Sequence, residues 1–162
     1  MNTICIYYSR TKLTEQVAER LAKELDADIM EITDGKPRKG PFGYIGAAIV
    51  GLSKHLPHLL PFRSPKPLDE YDKIILLAPI WCEDVCPIMR SFIDDNRGKL
   101  SGEVFAVITH MGKLSYDDQI IDLSKYLGKD LRGYASVKTK NNDWVAQVLS
   151  CANIIRNSHK QQ

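Results

Sequence analysis

Five consecutive apolar residues, Ile74-Ile75-Leu76-Leu77-Ala78, leave no polar face for water, so a strand built from them has to be buried on both sides. A sheet with one wet face would alternate apolar and polar residues instead. Cover on both faces calls for helices above and below the strand, and that in turn calls for crossover connections and a parallel sheet.

The rest of the chain supplies the other parts of such a sheet. Strand patterns at Thr3–Tyr8, Asp28–Ile32, Lys73–Ala78, Glu103–Thr109 and Leu131–Lys138 alternate with helical periodicities at Thr14–Leu25, Pro87–Asn96, Tyr116–Leu127 and Asp143–Asn157. Pro87 suits a first helical position, with Ile88, Met89 and Phe92 turned inward, and Gly98 and Gly128 read as stops. About forty residues between Thr33 and Asp72 are too many for a bare loop, so a helix is expected at Tyr44 to His55, with Ile45, Ile49 and Leu52 at helical spacing. The turn-rich run Pro61 to Pro67 leads back to the sheet. These patterns predict an α/β fold: a three-layer, doubly wound, five-stranded parallel sheet forming one domain over residues 1–162.

Charge excludes some partners. The 162 residues carry 22 Lys and Arg against 20 Asp and Glu, a formal +2 that gives no global signature for nucleic acid or an anionic membrane. The apolar start is too short for a secretory h-region and breaks at Ser9, and the run Tyr44 to Leu52 is too short to span a bilayer. Cys5, Cys82, Cys86 and Cys151 are too scattered for a disulfide framework, so a cytoplasmic location is expected.

Ligands of doubly wound sheets sit beyond the C-terminal strand ends, which directs attention to three loops. In the first, Ser9, Arg10, Thr11, Lys12, Leu13 and Thr14 join a strand to a helix start, and the hydroxyls of Ser9, Thr11 and Thr14 can surround a tetrahedral anion beside unpaired helix amides. Capping of the helix by Ser9 or Thr14 is the simpler alternative. In the second, Pro79, Ile80, Trp81 and Cys82 follow the buried strand, and the Trp81 indole is expected to meet a flat ligand ring rather than the core. In the third, Thr109, His110, Met111, Gly112 and Tyr116 offer a hydroxyl, an imidazole, a glycine that lets backbone approach a ligand, and a phenol. His110 could protonate a reduced cofactor or substrate, or be structural.

With these loops in place the chain resembles the flavodoxin-like family, whose members hold flavin mononucleotide (FMN) in three loops of a five-stranded sheet. The family's first-loop pattern S/T-x-T-G-N-T is met by Ser9, Thr11 and Thr14, while Lys12 and Leu13 stand where the family has Gly and Asn. Trp81 is similar in position to the family's second-loop aromatic, Tyr116 to its third-loop aromatic, and the uninterrupted Leu131–Lys138 strand to the short-chain branch. Gly40 to Tyr44 with Gly46-Ala47-Ala48 also resembles the segment that precedes the second loop in flavodoxin-like proteins of unassigned role. The resemblance implies strand order 2-1-3-4-5, FMN as cofactor, Glu83 and Asp84 as carboxylates near its ring, and electron transfer or flavin-dependent reduction.

A redox-partner protein or a small acceptor such as a quinone would take the electrons. The slightly basic charge argues against the strongly acidic type of electron shuttle that docks on basic partners. An NAD(P)H-dependent quinone reductase and a flavin-free partner-binding module are the alternatives. A dithiol built from Cys82 and Cys86 is a further one, Cys86 lying at a helix start that would lower its pKa. Metal binding by His55 and His58 is disfavoured because Pro57 lies between them.

Overall fold

The computed structural model describes residues 1–38, 40–52, 56–112, 116–140 and 143–158. Its elements run β1 (Thr3–Tyr7), α1 (Leu13–Leu25), β2 (Asp28–Glu31), α2 (Gly40–Leu52), a 3-10 turn (Leu68–Glu70), β3 (Lys73–Trp81), β4 (Asp84–Val85), α3 (Pro87–Asn96), β5 (Glu103–His110), α4 (Asp117–Leu127), β6 (Gly133–Lys138) and α5 (Trp144–Asn157). The strands pair in parallel in the order β2-β1-β3-β5-β6, the expected 2-1-3-4-5 with β4 left out of the count.

β3 holds the centre, pairing with β1 and β5 in one continuous register: Ile4, Ile74 and Val104 lie abreast, as do Ile6, Leu76 and Ala106. The strand period of two sends these residues to one face and Cys5, Ile75 and Phe105 to the other. Phe92 and Ile93 of α3 and Ile120 and Leu123 of α4 cover the first face. Val17, Ala18 and Leu21 of α1 and Val148 and Ala152 of α5 cover the second. The three layers follow from that double cover.

Two departures from the sequence reading matter for function. The third expected strand ends not at Ala78 but at Trp81, because the chain folds back as an antiparallel hairpin in which Ile80 pairs with Val85 and Trp81 with Asp84. Its two loop residues, Cys82 and Glu83, have φ of 49° and 64°, the two positive values that a two-residue turn of this kind requires. The helix expected at Tyr44 to His55 starts four residues earlier, at Gly40, and Ser53 to His55 lie outside the described residues.

Two anchors fix the edges of this frame. Lys73 at the start of β3 is fully buried, its ammonium donating to the Ile155 carbonyl and to Ser158 Oγ (2.7 Å), which ties the end of α5 to the sheet. The segment entering α2 is held by a buried ion pair in which both Arg38 terminal nitrogens donate to the Asp34 carboxylate, at 2.6 and 2.5 Å. Among the described residues no helix is long and apolar enough to cross a membrane.

Gly43 lets the first turn of α2 lie directly on the Arg38 backbone, since a Cβ there would sit 2.1 Å from the Arg38 carbonyl carbon. Gly43→Ala is expected to lower stability by about 1–3 kcal/mol, the usual cost of forcing extra volume into a packed contact. Urea denaturation measures it, and an unchanged midpoint would contradict this packing.

Candidate functional site

Beyond the C-terminal ends of β1, β3 and β5 the three loops enclose a cavity of about 360 Å³. The first loop contributes Arg10, Thr11, Leu13 and Thr14, the second Pro79, Ile80, Trp81, Cys82 and Glu83, and the third Thr109, His110, Met111, Gly112 and Tyr116. Ala47 and Ala48 of α2 and Thr139 after β6 complete the wall. Of the cofactor-binding residues expected in the three loops, Ser9 and Lys12 do not line it.

The first loop is shaped by a residue in the wrong conformation for its type. Lys12 precedes α1 with φ 66°, a left-handed backbone that a glycine would adopt freely, and its carbonyl accepts the first helical hydrogen bond from Gln16. Its side chain gives the first turn no cap, and its ammonium points outward toward Glu15 at 3.8 Å. Neither Ser9 nor Thr14 takes the N-cap position. The Thr14 hydroxyl instead meets that of Thr109 at 2.8 Å, a buried bond joining first loop to third. The pair has two hydrogens and spends one on this bond, so one O–H donor remains. Ser9 Oγ is buried with no hydrogen-bond partner, an orphaned donor in the loop expected to receive an anion.

Trp81 belongs to the core as well as to the cavity, contrary to the expectation that it would stand clear of the core. The residue is 7% exposed and its ring meets Tyr8 edge to face, centroids 5.5 Å apart at 82°, while the Arg38 guanidinium carbon lies 5.5 Å from the indole centroid. The extra β3 residues explain this, because hairpin pairing holds the indole over the sheet. Arg38 also donates toward the Tyr8 hydroxyl at 3.5 Å. Burial pushes the Tyr8 phenol up to about 12, with Arg38 pulling the other way, so it stays protonated at neutral pH. Asp34, Arg38 and Tyr8 form a polar cluster behind the indole that sequence reasoning missed. Asp34 and Arg38 stood in the connection between the second strand and the expected helix, where the only signal was their spacing of four residues.

The carboxylates expected beside a ring separate. Glu83 lines the cavity, whereas Asp84 turns to Arg90 (3.0 Å) and to the Val85 N–H (2.7 Å). The thiols separate too. Cys86 is fully buried and burial pushes it up to about 12, so the lowered pKa expected from the helix start is overturned: desolvation outweighs the dipole. Cys82 is exposed, its Sγ directed at the Ala48 carbonyl at 3.6 Å.

In the third loop the His110 and Tyr116 rings pack with centroids 4.8 Å apart. A Cβ at position 112 would lie 2.7 Å from the Tyr116 hydroxyl, so glycine is what brings loop and phenol together. His110 Nδ1 is buried without a partner, and burial, with some help from Lys138, holds the imidazole below its ordinary pKa against the opposing pull of the Gly112 backbone. It is therefore neutral at pH 7. Lys113, Leu114, Ser115 and His55 lie outside the described residues. Among the described residues no group of three or more His, Cys, Asp or Glu side chains converges to hold a metal ion.

No protein-family model and no curated protein matches the chain. Solved structures do. A flavoprotein from Lactobacillus acidophilus NCFM in complex with FMN superposes with a TM-score of 0.69 at 19% identity, over 83% of this chain and 92% of that one. A candidate flavoprotein from Bacteroides eggerthii DSM 20697 gives 0.77 at 18% identity, over 96% and 98%. A similar protein from Bacteroides uniformis ATCC 8492 gives 0.74 at 21% identity, over 92% and 97%. The chain has the flavodoxin-like fold.

Two outcomes follow from this geometry. Arg38→Met leaves the Asp34 carboxylate buried and unpaired and should cost about 3–5 kcal/mol in urea denaturation, with Asp34→Asn added to it recovering part of the loss. Burial alone would raise the Asp34 pKa, but the Arg38 hydrogen bonds and charge outweigh it and hold it low. Its stabilising share is therefore complete above the unfolded value of about 3.9 and is lost as pH falls through the lower folded value. The double variant should lack that acid-side loss. Lys12→Gly should add about 0.5–1 kcal/mol by relieving the left-handed backbone, since the exposed Lys12–Glu15 pair contributes next to nothing; a lower melting temperature would contradict the strain.

Proposed function

We propose that the cavity binds FMN and that the protein works in electron transfer or flavin-dependent reduction. The observation that carries this reading is the convergence of an anion-suited first loop and two aromatic-bearing loops on one cavity at the C-terminal edge of a flavodoxin-like sheet. The FMN-bound Lactobacillus protein of the same fold supports it.

The residues present suit the group. The orphaned Ser9 hydroxyl, the Thr11 hydroxyl, the uncapped first-turn amides of α1 and the Arg10 guanidinium would hold the phosphate. Trp81, Tyr116 and the backbone around Gly112 would bound the flat ring. Bound flavin supplies uptake and release of one or two electrons. Around it the chain fixes the electrostatics: Glu83 brings negative charge to the cavity wall, and a neutral His110 presents a ring nitrogen able to take or give a proton. Arg38, behind the indole, balances Asp34 and adds no net charge to the site.

The acceptor in this reading is a redox-partner protein or a small molecule such as a quinone, with a reduced nicotinamide as one source of electrons. The near-neutral charge supports direct reduction of a small acceptor over the steering of a strongly basic protein partner. Four free cysteines support a reducing, cytoplasmic setting.

Titration of the purified protein with FMN, followed by the quenching of flavin fluorescence and then by reduced-nicotinamide oxidation with a quinone, tests the proposal. Ser9→Ala separates binding from folding. Removing a hydroxyl that has no partner should leave stability unchanged or slightly higher, while losing a donor to phosphate should weaken FMN by about ten- to a hundredfold. Equal affinity in wild type and variant would remove Ser9 from the phosphate site, and a wild type that leaves flavin fluorescence unchanged would end the flavin reading.

A further inference from the structure

The chain's charge is balanced overall but not along its length. No Asp or Glu occurs from Gly35 to Leu68, a stretch holding Lys36, Arg38, Lys39, Lys54, Arg63 and Lys66, and the remainder is net acidic. Arg38 is consumed by Asp34, and Lys66 is held by Asn2 Oδ1 at 2.9 Å, whereas Lys36 and Arg63 are exposed.

Inside this stretch lies α2, thirteen residues without a single charge. Gly43, Ala47 and Val50 turn toward the sheet. Phe42, Ile45, Ile49 and Leu52 fall on the opposite side at intervals of three, four and three, and they are 88, 55, 64 and 77% exposed. A helix apolar all round is ordinarily buried all round. This one has a large apolar stripe in water, and such patches on monomers mark a binding surface.

Charge indicates what covers it. The chain leaves the sheet at Thr33 and returns at Leu60, whose N–H donates to the Thr33 carbonyl at 2.8 Å. At that junction Gly35 lies against Leu60, and exposed Lys36 follows Gly35 as exposed Arg63 follows Leu60 by three residues. An apolar stripe set in a stretch that carries exposed cations and no acidic residue complements a surface of hydrocarbon beneath anionic headgroups.

We propose that the outer face of α2 docks this protein on an anionic lipid bilayer, with Phe42, Ile45, Ile49 and Leu52 entering the interface and Lys36 and Arg63 pairing with headgroup phosphates. Ala47 and Ala48 of the same helix wall the cavity, so a docked chain holds its candidate site beside the headgroup layer. The contact is peripheral: α2 lies on the surface rather than across it.

Vesicle co-sedimentation of the full chain tests this, with phosphatidylcholine alone against phosphatidylcholine mixed with phosphatidylglycerol. The chain should pellet with the anionic vesicles at low salt. Partitioning should fall about tenfold or more on phosphatidylcholine alone, in high salt, in Ile49→Asp and in Lys36→Glu/Arg63→Glu. Circular dichroism confirms folding, and Phe42→Ser replaces Ile49→Asp if the latter unfolds. A wild type that stays in the supernatant, or variants that pellet as it does, overturns the proposal. So does a dimer on size exclusion that Ile49→Asp converts to monomer without any vesicle binding, which would give the stripe to a second copy of the chain. No readout uses flavin, so the result stands apart from the FMN titration.

Discussion

Everything in this molecule is arranged around a strand that water cannot touch. β3 is hydrogen-bonded on both edges, to β1 and β5, and packed on both faces, by α3 and α4 on one side and α1 and α5 on the other. A strand so enclosed meets solvent only at its ends. Its start is closed by Lys73 and the last turn of α5, and its far end opens between the loops that follow β1 and β5. The cavity is where the central strand runs out of neighbours.

The walls of that cavity depend on a second, polar constraint. Asp34 and Arg38, both almost fully buried, fix the chain between β2 and α2. The Arg38 backbone then serves as the bed for Gly43 and the first turn of α2, and its guanidinium backs the Trp81 indole against Tyr8. Buried ion pairs contribute little net stability against an apolar alternative. What this one supplies is position: a single side chain ties the helical wall and the aromatic wall of the site to each other.

Runs and periods carried most of the architecture into the sequence. Ile74 to Ala78 announced the doubly covered strand, and Pro87 and Asn96 bounded α3 as read. The hairpin after Ala78 was not legible, because Cys82-Glu83 lacks the Asn-Gly or Asp-Gly signal that positive φ usually leaves. That omission displaced Trp81 from the core. In the first loop the hydroxyls were readable by type, but which of them already had a partner was not: Thr14 meets Thr109 from 95 residues away, a pairing that only the crossing of α1 over the sheet creates. The Asp34–Arg38 pair was hidden for a related reason, since a spacing of four outside a helix signals nothing by itself. Balanced total charge likewise hid an acid-free fifth of the chain around α2.

The four sulfurs end in very different surroundings. Cys5, Cys86 and Cys151 are enclosed and held as thiols by burial, while Cys82 stands in the open at the tip of the hairpin, at the mouth of the cavity. Thiolate character and access together decide which sulfur an alkylating reagent finds. Nature has left the native chain with one addressable handle, so a dye or spin label attached there reports on whatever enters the site without any cysteine having to be engineered in or out.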